Sequence, residues 1–542
     1  MKRIRTILFI GILTLCELPV FGQTNTVEAD KWITIYNDVL RQLDINYADT
    51  INYERLVTNS IHQLLRQVDP YTVYIPEDKS SDLRLLTTGK YGGIGAMIMQ
   101  RQGNVYISEP YEGMPAQRND VRAGDRILEV DGKKTTGLNT SDVSSMLRGT
   151  PHTIVTLKLE REGEKKPITV SFEREEIKIN PVGYYGIVAP KTGYIFFREF
   201  TDGSSDILAN AIAEMVKSEN ITSLVLDLRG NGGGIIDEAV KIMSLFVDKG
   251  TEIVSTKGKK SDSNRTYRTP LQPKYKDMQL AVLVDENTAS AAEIVSGSLQ
   301  DLDRAVIIGK RTYGKGLVQS IRPIAYNGHL KVTTSKYYIP SGRCIQAIDY
   351  SKRRKDGSVE RVPDSLTHEF HTRKGRIVRD GGGIEPDILT EDDSTKVDVT
   401  YALYTQNMFF DYATLYRAKH DTIAPMDAFV VDNDDITDFI EFLKEKNFTY
   451  ETETSKYFRE VLELARHEDI DSALVKELKK MQERLTPDYV EAIHQHEEEV
   501  KEMMGREIIQ RYYFQKGAIA FALKTDKELQ RALQELNTDK TE

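Results

Sequence analysis

The chain has 542 residues, room for roughly three to four domains, and its 39% apolar and 29% charged residues are those of ordinary globular protein. A formal net charge of -10 argues against a nucleic-acid partner, because phosphate binding needs a clustered basic surface. The single Lys/Arg-dense patch, Lys352-Arg-Arg-Lys355, reads as a solvated loop.

In chain order, the basic Met1–Arg5 leads into the apolar Thr6–Leu15, which Glu17 and Pro19 interrupt before Val20-Phe-Gly22. This predicts a signal peptide over residues 1–22, cut after Gly22, and hence export to the periplasm or envelope of a bacterium. The apolar run is too short for a comfortable membrane span. A lipid anchor on Cys16 is not expected, since Leu15 stands where a small residue would precede it. Cleavage would leave Cys344 alone and no internal disulfide.

A helical segment is predicted over residues 27–86, from the spacing of Trp32, Ile35, Tyr36, Val39, Leu40 and Leu43 and from a second helix over Tyr53–Leu65. Asp69-Pro70, inside V-D-P-Y-T, ends the two helices. Residues 88–176 read as short strands and turns around one helix at Asp142–Leu147, with a closing strand at Ile154–Leu159. From 177 to 397 strand alternates with helix: Gly193–Phe200, Asp206–Lys217, Ser223–Leu228, Ile235–Phe246 and Leu280–Val284, the pattern of an α/β layered core. Residues 398–542 are mostly helical and charged, with candidate helices at Asp435–Lys444, Ser455–His467 and Pro487–Gly517. Their amphipathic stretches suggest a homodimer interface or a self-contained bundle.

Three short motifs in the core carry chemistry. Arg229-Gly-Asn-Gly-Gly-Gly234 is a glycine nest whose N–H groups can converge on an anion. It lacks the Gly-Lys-Ser/Thr ending and the Gly-x-Gly-x-x-Gly spacing of nucleotide loops. After the strand Leu280–Val284 and the polar Asp285–Asn287, Ala289–Val295 takes helical spacing. Ser290 is thereby expected at the first turn of a helix, where free N–H groups and the helix dipole favour negative charge. Further on, Gly314-Lys315-Gly316 sets a lysine between two residues that permit close backbone approach. His368 and His371 form H-E-x-H rather than the H-E-x-x-H of zinc peptidases, so no metal or other cofactor is expected.

The sequence T-A-S-A-A-E followed by G-K-G-L-V-Q resembles the carboxyl-terminal processing proteases, serine peptidases that use a Ser-Lys pair in place of Ser-His-Asp. The resemblance runs from about Tyr53 to Thr390. It implies a crotonase/Clp-like core with an inserted or adjoining β-rich PDZ domain and helical extensions at both ends. It makes Ser290 the nucleophile, Lys315 the general base and Gln319 the residue orienting the lysine, and it makes the N–H groups of Gly233, Gly232 and Ala291 the oxyanion hole. Tyr91-Gly-Gly-Ile-Gly95 and Val121–Gly132 match the PDZ domain of the family, which implies that Gly92, Gly93, Ile94 and Gly95 receive a terminal carboxylate and that Ile94 and Met146 line an apolar pocket. Arg148 reads as an ordinary exposed arginine or, as the alternative, as a group that touches the core when the PDZ domain docks. Tyr71 and Thr72 stand where His and Ser are usual in the family, a change expected to be neutral. The rivals are a PDZ adaptor or holdase that has lost its chemistry, and an acyl-CoA enzyme on a related fold.

The assignment makes two physical demands. Free lysine has a pKa of about 10.4, so a base working near neutrality needs burial to lower it. A neutral amide such as Gln319 can accept from the amine without restoring the proton affinity a carboxylate would. Four residues of strand span about 13 Å but one helical turn about 6 Å, so a local coil is expected near Lys315.

Overall fold

The computed structural model describes residues 24–77, 88–354, 356–390, 398–468, 470–485 and 487–538. The expected signal peptide and Cys16 lie outside the described residues. No described helix is long and apolar enough to cross a membrane.

The chain divides into two units, residues 1–67 and 68–542. The first contains two helices, Thr24–Asn46 and Tyr53–Arg66. They are joined by hydrogen bonds between the Tyr36 and Ser60 hydroxyls at 2.7 Å and from the Tyr53 hydroxyl to Asp44 at 2.9 Å.

In the second unit the strand–helix alternation produces a six-stranded sheet in the order Val182–Ala189, Thr192–Phe197, Ser223–Asp227, Gln279–Val284, Val306–Gly309, Ile388–Leu389. The first pair is antiparallel and the rest run parallel. A parallel sheet buried on both faces needs near-continuous apolar strands, and Leu224-Val-Leu226 and Leu280–Val284 supply them. On one face Leu224, Leu226, Val282 and Val284 pack against the helices Ser204–Glu219, Ile236–Met243 and Ala291–Asp301. On the other, Tyr194, Val225, Ala281, Leu283 and Ile308 are covered by Leu529, Ala532 and Leu536 of the helix Lys527–Thr538.

A second sheet holds the hairpin Leu317–Pro323/His329–Tyr338, flanked by Val73–Ile75 and Glu252–Gly258. The strand Val73–Ile75 pairs with His329–Lys331, which fixes the V-D-P-Y-T segment beside that hairpin. The PDZ region forms a sheet in which Ala96–Arg101 is the edge strand, next to Asn104–Pro110 and across from the helix Thr140–Leu147.

The helices after residue 398 form their own core, in which Phe409, Tyr412, Phe439, Phe442 and Ile508 are buried together. The long helix expected over Pro487–Gly517 is divided: Tyr489–Gln495 is followed by Glu497–Ala522, and Phe514 breaks the second with φ 55° and ψ -161°. Much of the amphipathic character behind the expected homodimer is spent inside the chain, on this bundle and on the second face of the six-stranded sheet. The bundle also holds the PDZ domain, through the ion pair Arg101–Asp411, the Lys516–Glu112 pair at 2.6 Å, and Thr414 packed on Gly124.

Candidate active site

The strand Gln279–Val284 runs into a tight turn before the helix Ala291–Asp301, and Ser290 caps that helix with φ 58° and ψ -117°. A positive φ is uncommon for a residue with a Cβ and stores strain, which the surroundings must over-determine. They do so through backbone contacts. The Ser290 N–H donates to Glu293 Oε2 at 2.8 Å, and the Tyr337 hydroxyl donates to the Ser290 carbonyl at 3.2 Å. In the turn, Asp285 Oδ1 accepts from the N–H groups of Asn287, Thr288 and Gly230, so one carboxylate ties the serine turn to the glycine nest.

The nest is pressed against the serine. A Cβ on Gly233, whose φ is 95°, would lie 2.6 Å from the Ala289 carbonyl and 2.7 Å from both the Ala291 nitrogen and Ser290 Cβ. Only glycine fits. The Gly233 N–H, placed first for the oxyanion hole, already donates to Asn231 Oδ1 at 2.8 Å. Among the described residues the N–H groups of Gly232 and Ala291 have no hydrogen-bond partner, so these two are the donors left open beside Ser290. Arg229, which opens the nest, pairs with Asp227 and also with Asp526 and Glu528, both at 2.7 Å, at the start of the last helix.

Lys315 arrives on an irregular segment ahead of the strand Leu317–Pro323. Its flanking glycines serve the close approach expected of them: a Cβ on Gly314 would lie 2.4 Å from Ala347 Cβ, and one on Gly316 2.8 Å from the Gln346 nitrogen. Burial pushes the Lys315 amine down to about 8, with Lys331 adding to the effect and Glu293 and Asp69 opposing it. The helical turn expected between Lys315 and Gln319 is replaced by a β-bulge between Val318 and Gln319, within the hairpin strand.

The three side chains do not meet in this structure. No hydrogen bond among the described residues joins the Ser290 hydroxyl, the Lys315 amine and the Gln319 amide. The Lys315 Nζ lies over the Tyr71 ring, 4.6 Å from its centroid, and Gln319 Nε2 donates to Thr333 Oγ1 at 3.2 Å.

Glu293 was not singled out from the sequence, yet it joins the two halves. Fully buried, its carboxylate accepts from the Ser290 N–H at 2.8 Å, the Lys315 N–H at 2.9 Å, the Gly314 N–H at 2.7 Å and the Thr312 hydroxyl at 2.5 Å. Burial pushes its carboxyl up and these four donors pull it back. The available signal was Ser290-x-x-Glu293, the spacing of a helix capping box.

In the PDZ region a cavity of about 220 Å³ lies between the edge strand Ala96–Arg101 and the helix Thr140–Leu147, lined by Tyr91, Ile94, Ile98, Tyr111, Leu147 and Arg148 among others. Ile94 is among its lining residues. Met146 is not: it packs on the domain core, because the helix turns Ser144, Leu147 and Arg148 toward the groove instead. The Ile94 and Gly95 N–H groups have no partner among the described residues, and Gly92 packs on the Gly149 carbonyl. Arg148 has its guanidinium over the Tyr91 ring of its own domain, 5.2 Å from the centroid. No cluster of potential metal ligands occurs among the described residues.

Residues 191–351 match peptidase family S41, residues 106–161 a PDZ domain, and residues 399–536 the C-terminal helical domain described for probable PDZ-proteases. A carboxy-terminal-processing protease of Bartonella bacilliformis is 33% identical over 354 residues, which cover 64% of this chain and 81% of that protein. A probable CtpA-like serine protease of Staphylococcus aureus is 31% identical over 349 residues, 63% of this chain and 69% of that one. The solved photosystem II D1 C-terminal processing protease matches at 25% identity and a TM-score of 0.38, over 68% of this chain and 88% of its own. With one residue in three identical over an alignment that spans four-fifths of such a relative, and the peptidase and PDZ matches falling on the two regions just described, the chain belongs to the carboxy-terminal-processing proteases and is a serine-type endopeptidase that acts on proteins.

Proposed function

We propose that this protein is an exported endopeptidase that captures the free C-terminus of a protein on its PDZ domain (residues 88–176) and cleaves nearby in the core (177–397), with Ser290 as nucleophile, Lys315 as general base and Gln319 orienting the lysine. The observation that carries the reading is the pairing of a strained helix-capping serine with a half-buried lysine held down to about 8, both anchored through their backbones to the one buried carboxylate of Glu293. Export rests on the N-terminal sequence pattern alone.

The Ser290 hydroxyl attacks the scissile carbonyl while the neutral Lys315 amine takes its proton. The oxyanion is met by the Ala291 and Gly232 N–H groups, at the positive end of the helix Ala291–Asp301. The lysine then gives its proton to the departing amine, and water repeats the sequence on the acyl-enzyme. For this the Lys315 amine leaves the Tyr71 ring and comes within hydrogen-bond reach of Ser290, where the Gln319 carbonyl can accept from it.

The Ile94 and Gly95 N–H groups suit a terminal carboxylate, the edge strand Ala96–Arg101 suits pairing with an extended peptide, and the lining of Ile94, Ile98 and Leu147 suits an apolar last residue. The test is mass spectrometry of envelope-protein C-termini in cells carrying the intact protein or Ser290→Ala. New termini that depend on Ser290 are expected, and identical termini in both strains would overturn the reading.

A further inference from the structure

The Val68–Ile75 segment supplies none of the assigned groups, and its tyrosine reads as a neutral departure from the family pattern. The structure puts that tyrosine against the proposed base. We infer that Tyr71 is a positioning residue for Lys315: its ring face holds the ammonium in a resting place away from Ser290 and so sets the pH above which the amine is free to act.

The ring is fixed on several sides. Its backbone N–H, with that of Thr72, donates to buried Asp69 at 2.8 and 2.7 Å, closing a turn around Pro70. Its hydroxyl donates to the Tyr313 hydroxyl at 3.2 Å, and Tyr350 packs edge-on against it with centroids 6.0 Å apart. Tyr313 lies two residues before Lys315, and its own N–H donates to the Thr288 carbonyl in the serine turn at 3.0 Å. Thr72 accepts from the N–H of Thr333, the residue whose hydroxyl holds Gln319. One short segment therefore touches the resting places of both Lys315 and Gln319.

The electrostatic sense follows from the ring quadrupole, which attracts an ammonium and not a neutral amine. The charged groups facing Lys315 are Glu293 from the serine helix and Asp69 from the Tyr71 turn, which favour the ammonium, and Lys331 from the neighbouring strand, which disfavours it. Burial pushes the Tyr71 phenol far above its ordinary value, so the ring over the amine is that of a neutral phenol throughout the working range. Tyr71 thus opposes the burial that lowers Lys315, and removing the ring releases the amine at lower pH.

This rests on Lys315 being the base, and the experiment separates the two. The pH dependence of kcat/KM for a peptide substrate is measured with the full-length protein, with Tyr71→Phe and with Tyr71→Leu, each checked for folding by thermal unfolding. Alongside, the pH dependence with which an amine reagent labels Lys315 is followed by mass spectrometry in Ser290→Ala backgrounds. Tyr71→Phe keeps the ring and leaves the rise of the rate near pH 8. Tyr71→Leu moves both the kinetic rise and the labelling midpoint down by roughly half to one pH unit, raising activity at pH 7 about three- to tenfold relative to its plateau. Labelling and kinetic midpoints that stay in place in Tyr71→Leu overturn the role given to Tyr71. A labelling midpoint that moves while the kinetic one does not overturns Lys315 as the base instead. If Tyr71→Leu does not fold, a Tyr71→Phe midpoint displaced by half a unit or more overturns the role of the ring.

Discussion

The two sides of the active site are built differently. Around Ser290 the constraints are backbone hydrogen bonds to the buried carboxylate of Glu293 and the half-buried one of Asp285, and contacts that leave no room for a Cβ. Around Lys315 the Glu293 carboxylate also holds the backbone, but the side chain ends on a ring face and its partner amide ends on a threonine hydroxyl. Contacts of the second kind contribute about 0.5–1.5 kcal/mol each, whereas stranding a buried donor or acceptor costs about 1–3 kcal/mol. On the roles proposed for Ser290 and Lys315, the protein is stiff where negative charge would develop and adjustable where the proton would move. Preorganised donors have to be in place before the reaction, while a base has only to arrive with it.

The largest expected effect removes the adjustable side altogether. Lys315→Met should abolish cleavage, with a loss on the order of 10²–10⁴ in kcat/KM, while the folded structure persists. A loss of less than about tenfold in a folded Lys315→Met protein would mean that another group takes the Ser290 proton.

Glu293→Gln attacks the part that both sides share. An amide presents one acceptor oxygen where four donors converge, so its NH₂ group would face N–H groups. A fall in kcat on the order of 10² with KM little changed is expected, together with a thermal midpoint lowered by several degrees, because small misplacements of reacting groups are costly. Wild-type kcat in this variant would show that the serine and lysine backbones hold their places without the carboxylate.

The lysine also links activity and stability to pH. Cleavage should rise as pH passes about 8, since only the neutral amine accepts a proton. Lys315 is depressed in the folded protein, so between about 8 and the ordinary lysine value the unfolded chain binds the extra proton and stability increases with pH. The thermal midpoint of Lys315→Met should accordingly exceed that of the wild type by more at pH 7 than at pH 10. A difference independent of pH would place the lysine in water.

The smallest effect lies farthest from the chemistry. Amidating the C-terminus of a peptide substrate should raise KM several-fold and leave kcat nearly unchanged, since the PDZ loop offers N–H groups to a carboxylate and plays no part at Ser290. Equal KM for the free and amidated peptides would show that the groove reads side chains only.

Much of this arrangement is legible in the sequence, for local reasons. Strand–helix alternation and the apolar run Leu280–Val284 each act over a few residues, so pattern locates the layered core, while the candidate roles of Ser290 and Lys315 came from the resemblance of T-A-S-A-A-E and G-K-G-L-V-Q to a known family. What escaped depends on distant partners. Tyr71 reaches Tyr313 across 242 residues, and nothing in V-D-P-Y-T announces a lysine beneath its ring. The Gly233 N–H is taken by an asparagine side chain whose rotamer no spacing rule foresees. The Lys315–Gln319 interval suggested a helical turn because a regular strand is too long, but a bulge inside a hairpin answers the same demand, and the hairpin partner begins ten residues beyond Gln319. At Phe514 the helical pattern continues through a residue that leaves helical geometry.

The clamp on Arg229 has a consequence in time. The nest that faces Ser290 is made early in synthesis, but Asp526 and Glu528 follow Arg229 by 297 and 299 residues, and the helix they belong to covers the second face of the catalytic sheet. Closing so long a loop adds little free energy, since the cost grows only with the logarithm of length. The delay is kinetic: a growing chain exposes Val225, Ala281, Leu283 and Ile308 until the last helix emerges to cover them. The sheet acquires its finished face only after the PDZ domain and the peptidase core, which precede the helix Lys527–Thr538, have had time to fold.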